Sequence, residues 1–226
     1  MEIVLVPGYW LTANVWQGVV PALEAAGHHA HPVTRTGADV PEQVASIVAA
    51  VDAIGDPATC DVVLVGHSAG GPLADAVLDA RPDRVSRIVF VDSAPLSPGD
   101  VVPSGLTPVD GVVPLPEWDD FEDADLMDLT EEQREAMRRD AVPEPGDVVT
   151  GAIELTDERR RAVPATVVAC EFTGADLKRW VAAGEDFCRE LGTLSDWEVV
   201  ELPTGHWPML TRPAELGAIL AEAASR

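Results

Sequence analysis

Short runs of consecutive apolar residues alternate along the chain with longer stretches of helical period. EIVLV (2–6), DVVLV (61–65), RIVFVD (87–92), ATVVAC (165–170) and WEVVEL (197–202) read as strands, and residues 30–34 as a further one. None shows polar alternation, so both faces of the sheet are expected to be covered by helices. Helices are predicted over 16–26, stopped by Gly27, from Asp39 to about Ile54, over 69–81, and after Pro213. Asp39 has the chemistry of an N-cap, Pro41 suits a first turn, and Glu42 closes the box. Repeated β–α units predict an α/β fold: a doubly wound, mostly parallel sheet of about six strands flanked by helices.

The pattern breaks between residues 93 and 163, a Pro-rich and strongly acidic stretch. From Glu117 to Asp147 there are 13 acids against three arginines, Arg134, Arg138 and Arg139. Helix signals persist: Thr130 and Gln133 make a capping box ahead of EEQREAMRR, and Trp118, Phe121, Leu126, Met127, Leu129 and Met137 offer an apolar face. About 70 residues between two core strands is too long for a plain loop. The chain is therefore divided into a core (1–92 and 164–226) and a helical lid inserted at 93–163, the alternative being an acidic excursion that touches no site.

Composition narrows the function classes. The chain has 226 residues, 46% apolar and 24% charged, enough for one sizeable core. Lys plus Arg is 15 and Asp plus Glu is 39, for a net charge of −24. Such a surface repels phosphate backbones and anionic lipid, so no nucleic-acid or membrane partner is expected. No apolar run is long enough to span a bilayer. The three cysteines, Cys60, Cys170 and Cys188, lie far apart, which indicates neither a disulfide framework nor a zinc site and suits a cytoplasmic location. MEIVLVPG has no basic n-region, so no secretory signal is expected.

The chemistry concentrates in Gly66-His67-Ser68-Ala69-Gly70, a G-x-S-x-G pattern directly after an apolar strand and directly before a helix. Small flanking residues permit the strained turn that lifts a serine oxygen above the sheet edge, and the helix N-terminus behind it supplies free N–H groups. A nucleophilic serine needs a base. His67 is the variable residue of the turn, and its ring cannot easily swing back onto its neighbour. His28, His29 and His31 precede a strand, whereas sites in open parallel sheets lie at C-terminal strand ends. A metal reading of HHAH lacks a carboxylate or cysteine to complete it. His206, in PTGHWP after the last strand, stands at the right end.

LVPGYW after the first strand, VGHSAG at the turn and GHWP near the end together resemble the α/β-hydrolase fold family, in the manner of its compact esterase-like members. The resemblance covers nearly everything outside the lid, and Ser68 before His206 obeys the family's chain order. It implies that Tyr9 and Ala69 donate backbone N–H groups to an oxyanion, with Trp10 the other possible donor. Many members carry a bracing histidine before that glycine, where this chain has Pro7. The family's usual acid slot holds Thr173, with Asp176 and Glu171 displaced from it; a minority of members place the acid after the strand that follows the nucleophile helix, where Asp92 stands. Asp92 is the preferred acid, with Asp176 and Glu171 as alternatives.

The expected activity is a serine hydrolase cleaving an ester, thioester or lactone, with no metal or organic cofactor. Trp10, His67, Trp118, Phe121 and Trp207 are expected to line an apolar pocket, and the acidic surface favours small neutral or cationic apolar substrates. A lyase of the same fold splitting a cyanohydrin-like substrate, and a catalytically silent binding module, are the alternatives. The oligomeric state stays open.

Overall fold

The computed structural model describes residues 1–55, 61–102 and 104–226; Cys60 lies outside them. A six-stranded, wholly parallel sheet forms the centre, from β1 (Glu2–Val6), β2 (His29–Pro32), β3 (Val62–His67), β4 (Val85–Val91), β7 (Ala165–Ala169) and β8 (Trp197–Glu201). Its order is β2-β1-β3-β4-β7-β8. The reversal beside β1 makes the sheet doubly wound, and the crevice at its C-terminal end is where such sheets place ligands.

The helices are α1 (Val20–Ala25), α2 (Val40–Asp52), α3 (Gly70–Ala80), α4 (Glu131–Asp140), α5 (Gly146–Val149), α6 (Gly174–Ala183), α7 (Pro208–Thr211) and α8 (Pro213–Ala224). Alternate residues of each central strand enter opposite cores. Ile3, Leu5, Val63 and Val65 pack with Leu23 of α1 and Leu216 and Leu220 of α8. Val4, Val6, Val62 and Leu64 pack with Ile47 of α2, Leu73 and Val77 of α3 and Leu177 of α6. Burial on both faces is why these strands read as unbroken apolar runs.

The first helix departs from expectation. Residues Ala13–Trp16 form a 3-10 turn and the α-helix begins only at Val20. Pro21 lies in its first turn, the place a residue without an N–H is tolerated; a helix from 16 would put that ring in its interior. β2 ends at Pro32 and is an edge strand, where proline costs no ladder bond. Asp39 caps α2 as expected, accepting from the Glu42 N–H at 2.9 Å.

Between β4 and β7 the chain makes a long excursion. A short antiparallel pair, β5 (Val112–Val113) with β6 (Glu144–Pro145), ties its two halves together. α4 carries the reciprocal Thr130–Gln133 capping box, with Glu131 and Glu132 in its first turn and Arg138 and Arg139 in its last, which suits the helix dipole at both ends. Leu115, Leu129, Met137, Val148 and Val149 are buried in the same core as α1 and α8. The excursion is thus packed onto the sheet domain rather than solvated around it. Among the described residues, no helix is long and apolar enough to cross a membrane.

Candidate active site

Three strand ends deliver the site. Ser68 sits in the turn between β3 and α3 with φ +52°, a left-handed conformation that is strained for a residue with a side chain. Its neighbours make room: a Cβ on Gly66 would come within 2.5 Å of Gly70 O, and one on Gly70 within 2.5 Å of Pro7 O. Ser68 N–H donates to Val91 O at 3.1 Å, and Ser93 Oγ donates to Ser68 O at 2.7 Å, so the turn is tied to the end of β4 from both sides.

His206, in the loop between β8 and α7, completes the contact. Its Nε2 accepts from Ser68 Oγ at 2.8 Å, and its Nδ1–H donates to Asp92 Oδ2 at 2.7 Å. Asp92 follows β4, with φ +45°. Its N–H donates to Val168 O at 2.8 Å and its Oδ1 accepts from Cys170 N–H at 3.1 Å. These bonds carry the carboxylate across the end of β7 to the histidine, at 2% side-chain exposure. His206 itself is held from outside the sheet: its N–H donates to Asp125 O at 2.9 Å, and Gly205 N–H to Met127 O at 3.1 Å, both in the excursion.

Glu171 is the second carboxyl here, with Oε2 at 3.3 Å from His206 Nδ1. Burial and then the neighbouring Asp92 and Asp125 carboxyls push its pKa up to about 8. Asp92 moves the opposite way: burial works against its charge, but the hydrogen bond and charge of His206, with the bonds from Glu171 and the Cys170 N–H, together outweigh it and hold the carboxyl below its ordinary value. The charge therefore rests on Asp92, with Glu171 a protonated neighbour near neutral pH. Burial likewise opposes the His206 cation, yet its bonds to Asp92 and Glu171 raise its pKa above the ordinary value. Asp176 does not reach the histidine. It closes the capping box of α6, whose N-cap is Thr173 rather than Asp176, and pairs with Arg179 at 2.7 Å.

His67 is fully buried; its Nε2–H donates to His206 O at 2.7 Å. Burial, then the nearby His206, pushes its pKa down to about 3, so it is a neutral brace. The Tyr9 and Ala69 N–H groups make no hydrogen bond among the described residues, whereas the Trp10 N–H is taken by Glu144 Oε1 at 2.8 Å. Arg35, buried beside them, pairs with Glu144 at 2.7 Å.

The pocket wall differs from expectation. A cavity of about 210 Å³ borders Ser68 and His206, walled by Leu96, Val102, Phe172, Leu177 and Phe187. None of Trp10, His67, Trp118, Phe121 and Trp207 lines it. Four of them interlock edge-to-face instead, with Trp10–Phe121, Trp118–Trp207 and Phe121–Trp207 centroids at 6.1, 6.3 and 5.4 Å. Mutual packing of large rings buries more apolar area than a cavity wall would, and it fastens the excursion behind the histidine loop. The actual wall residues carry no local signal; the start of the excursion, the β7–α6 connection, α6 and the α6–β8 connection bring them together.

The histidine run has a carboxylate partner that chain order hides. Glu2, opposite His29 in the β1–β2 register, hydrogen-bonds His29 at 2.8 Å and His31 through its other oxygen. This group lies at the N-terminal strand ends. Among the described residues, the one cluster of three possible metal-ligating side chains with mutually close donor atoms is Asp92, Glu171 and His206. Cys170 and Cys188 are free and buried.

A profile described as the Alpha/beta hydrolase family matches residues 3–219. The chain belongs to that family. Among similar proteins, a carbendazim hydrolyzing esterase of Nocardioides sp. (strain SG-4G) is 23% identical over 248 residues, covering 96% of this chain and 97% of the relative. Methylesterase 8 of Arabidopsis thaliana is 32% identical over 99 residues, 40% of this chain and 36% of its own length. In structure, an extracellular alpha/beta-hydrolase from a Paenibacillus species superposes with a TM-score of 0.77 at 20% identity, covering 99% of this chain and 98% of its own. The methylesterase MES16 from Arabidopsis does so with a TM-score of 0.75 at 20% identity, covering 100% and 99%.

Proposed function

We propose that the protein is a serine hydrolase that cleaves a small ester, thioester or lactone through an acyl-serine intermediate. One observation carries the reading: a strained, turn-borne Ser68 Oγ lies 2.8 Å from His206 Nε2, whose other nitrogen is fixed by a buried carboxylate. The esterase and methylesterase names of its relatives support the same class.

The chemistry follows from the geometry. Ser68 Oγ attacks the substrate carbonyl as His206 Nε2 takes its proton. Asp92 fixes the tautomer with the proton on Nδ1 and stabilises the imidazolium that forms. The Tyr9 and Ala69 N–H groups hold the oxyanion. Collapse expels the alcohol, thiol or ring-opened oxygen, which receives its proton from His206. Water then attacks the acyl-serine, with His206 again as base, and releases the acid and free Ser68. No metal or organic cofactor enters these steps.

A cavity near 210 Å³ with aliphatic and phenyl walls suits a compact apolar acyl group. A net charge of −24 favours neutral or cationic substrates over anionic ones. Residues 93–163 act as the lid over this cavity, and two free cysteines suit a cytoplasmic location.

A panel of p-nitrophenyl esters and lactones tests the proposal. Turnover that rises toward short acyl chains and disappears in Ser68→Ala is expected. A panel left untouched by the chain, or a Ser68→Ala variant that retains turnover, would overturn it.

A further inference from the structure

Pro7 gives the loop before Gly8-Tyr9-Trp10 neither a side-chain donor nor an N–H, so something else must hold that loop against Ser68. The need is acute. A Cβ on Gly8 would stand 2.9 Å from Ser68 Cβ, and Trp10 has φ +62°, a conformation a tryptophan does not keep unaided. Two residues from outside the catalytic set supply the hold. Arg35 Nη2 donates to Gly8 O at 2.6 Å and to Glu144 Oε1 at 2.7 Å, and Trp10 N–H donates to that same Glu144 oxygen at 2.8 Å. Arg35 Nη1 also donates to Gln43 of α2. Both charged side chains are nearly closed off from solvent, at 2% and 7% exposure.

We infer that the Arg35–Glu144 pair is a positioning device that aims the Tyr9 N–H at the oxyanion. In a trans peptide the C=O and the following N–H point in opposite directions across one rigid plane. The chain has no cis bonds among the described residues, so the guanidinium that grips Gly8 O dictates the direction of the Tyr9 N–H. Glu144 fixes the far side of the same residue by holding the Trp10 N–H, which also removes Trp10 from the donor role. The buried ion pair keeps both contacts short, because neither charge has water to turn to. Glu144 belongs to the excursion, so the oxyanion loop of the sheet domain is correctly set only with the excursion seated. This inference rests on the serine-hydrolase reading and adds to it.

The test compares Glu144→Gln and Arg35→Lys with the parent on the best ester of the panel, and adds an aryl trifluoromethyl ketone, whose serine adduct carries the oxyanion. Glutamine keeps one oxygen for Arg35 Nη2 and the Trp10 N–H but removes the charge and turns an N–H toward Arg35 Nη1, to which Oε2 now lies at 3.4 Å, and lysine cannot bridge Gly8, Gln43 and Glu144 at once. Expected is a fall in kcat of about tenfold or more with KM within about threefold, and ketone affinity weakened by the same factor as kcat/KM. Thermal midpoints that drop while kcat and ketone affinity stay within about twofold of the parent would reduce the pair to a structural one and overturn the inference. If the single variants fail to fold, Arg35→Met with Glu144→Leu removes both charges together, and the same kinetic pattern is required of it. Ser68→Ala separates the two levels. Loss of turnover there with normal kcat in the pair variants refutes only the positioning role; retained turnover in Ser68→Ala refutes the hydrolase reading itself.

Discussion

At the scale of single residues, the site pairs strained backbone with charge separated between two carboxyls. Asp92 is held ionised and Glu171 neutral, although both touch the same imidazole nitrogen. A protonated His206 cannot take the Ser68 proton, so kcat/KM must fall as pH drops through the His206 pKa. Asp92 and Glu171 raise that value above 6.5, and Asp92→Asn should therefore move the acid limb to lower pH. The same variant should lower kcat/KM by up to about 10⁴-fold, because the tautomer is no longer fixed. A pH–rate profile checks both, and an unmoved limb would place the acid elsewhere. Ser68 and His206 were readable from sequence because turn chemistry and chain order both leave local marks. The preference for Asp92 over Glu171 and Asp176 comes from the family resemblance rather than from a local mark, since the contact depends on how far a side chain reaches across the end of β7. Arg35 and Glu144 left no mark at all: each is an ordinary charged residue until the fold buries it against the other.

At the scale of elements, the central strands and α2, α3 and α8 follow from apolar runs, caps and proline placement. The first helix fails where a proline competes with an apolar period, and the aromatic residues of the excursion pack on one another rather than on the cavity; periodicity shows that a face is apolar but not what covers it. The junction of β3, α3 and the loop after β1 is closely packed. A Cβ on Gly70 would press on Pro7 O at 2.5 Å and Val6 O at 2.7 Å, both rigid backbone. Gly70→Ala is expected to cost about 1–3 kcal/mol of stability, read from denaturant midpoints, and to displace the Gly8–Trp10 loop so that activity falls more than stability alone explains. Unchanged stability would mean that this contact is looser than the packing indicates.

At the scale of the whole molecule, charge and topology act together. The parallel sheet brings residues 68, 92 and 206 to one edge from three separate strand ends, and the excursion returns to that edge through Asp125, Met127 and Glu144. A net charge of −24 surrounds it. Anionic esters should therefore react more slowly than neutral ones of equal size at low ionic strength, and the gap should narrow as salt rises toward about 1 M, where screening acts within about 3 Å. Steady-state rates on a matched ester pair across a salt series measure this, and a salt-independent ratio would show that surface charge plays no part in selection. The contact between the Ser68 hydroxyl and the His206 imidazole underlies the whole functional account. Its most direct measurement is peptide mapping by mass spectrometry after treatment with a fluorophosphonate, which reacts with an activated serine. One adduct per chain is expected, on Ser68, absent in Ser68→Ala and strongly reduced in His206→Ala. An unlabelled native chain, or an adduct on another residue, would contradict it.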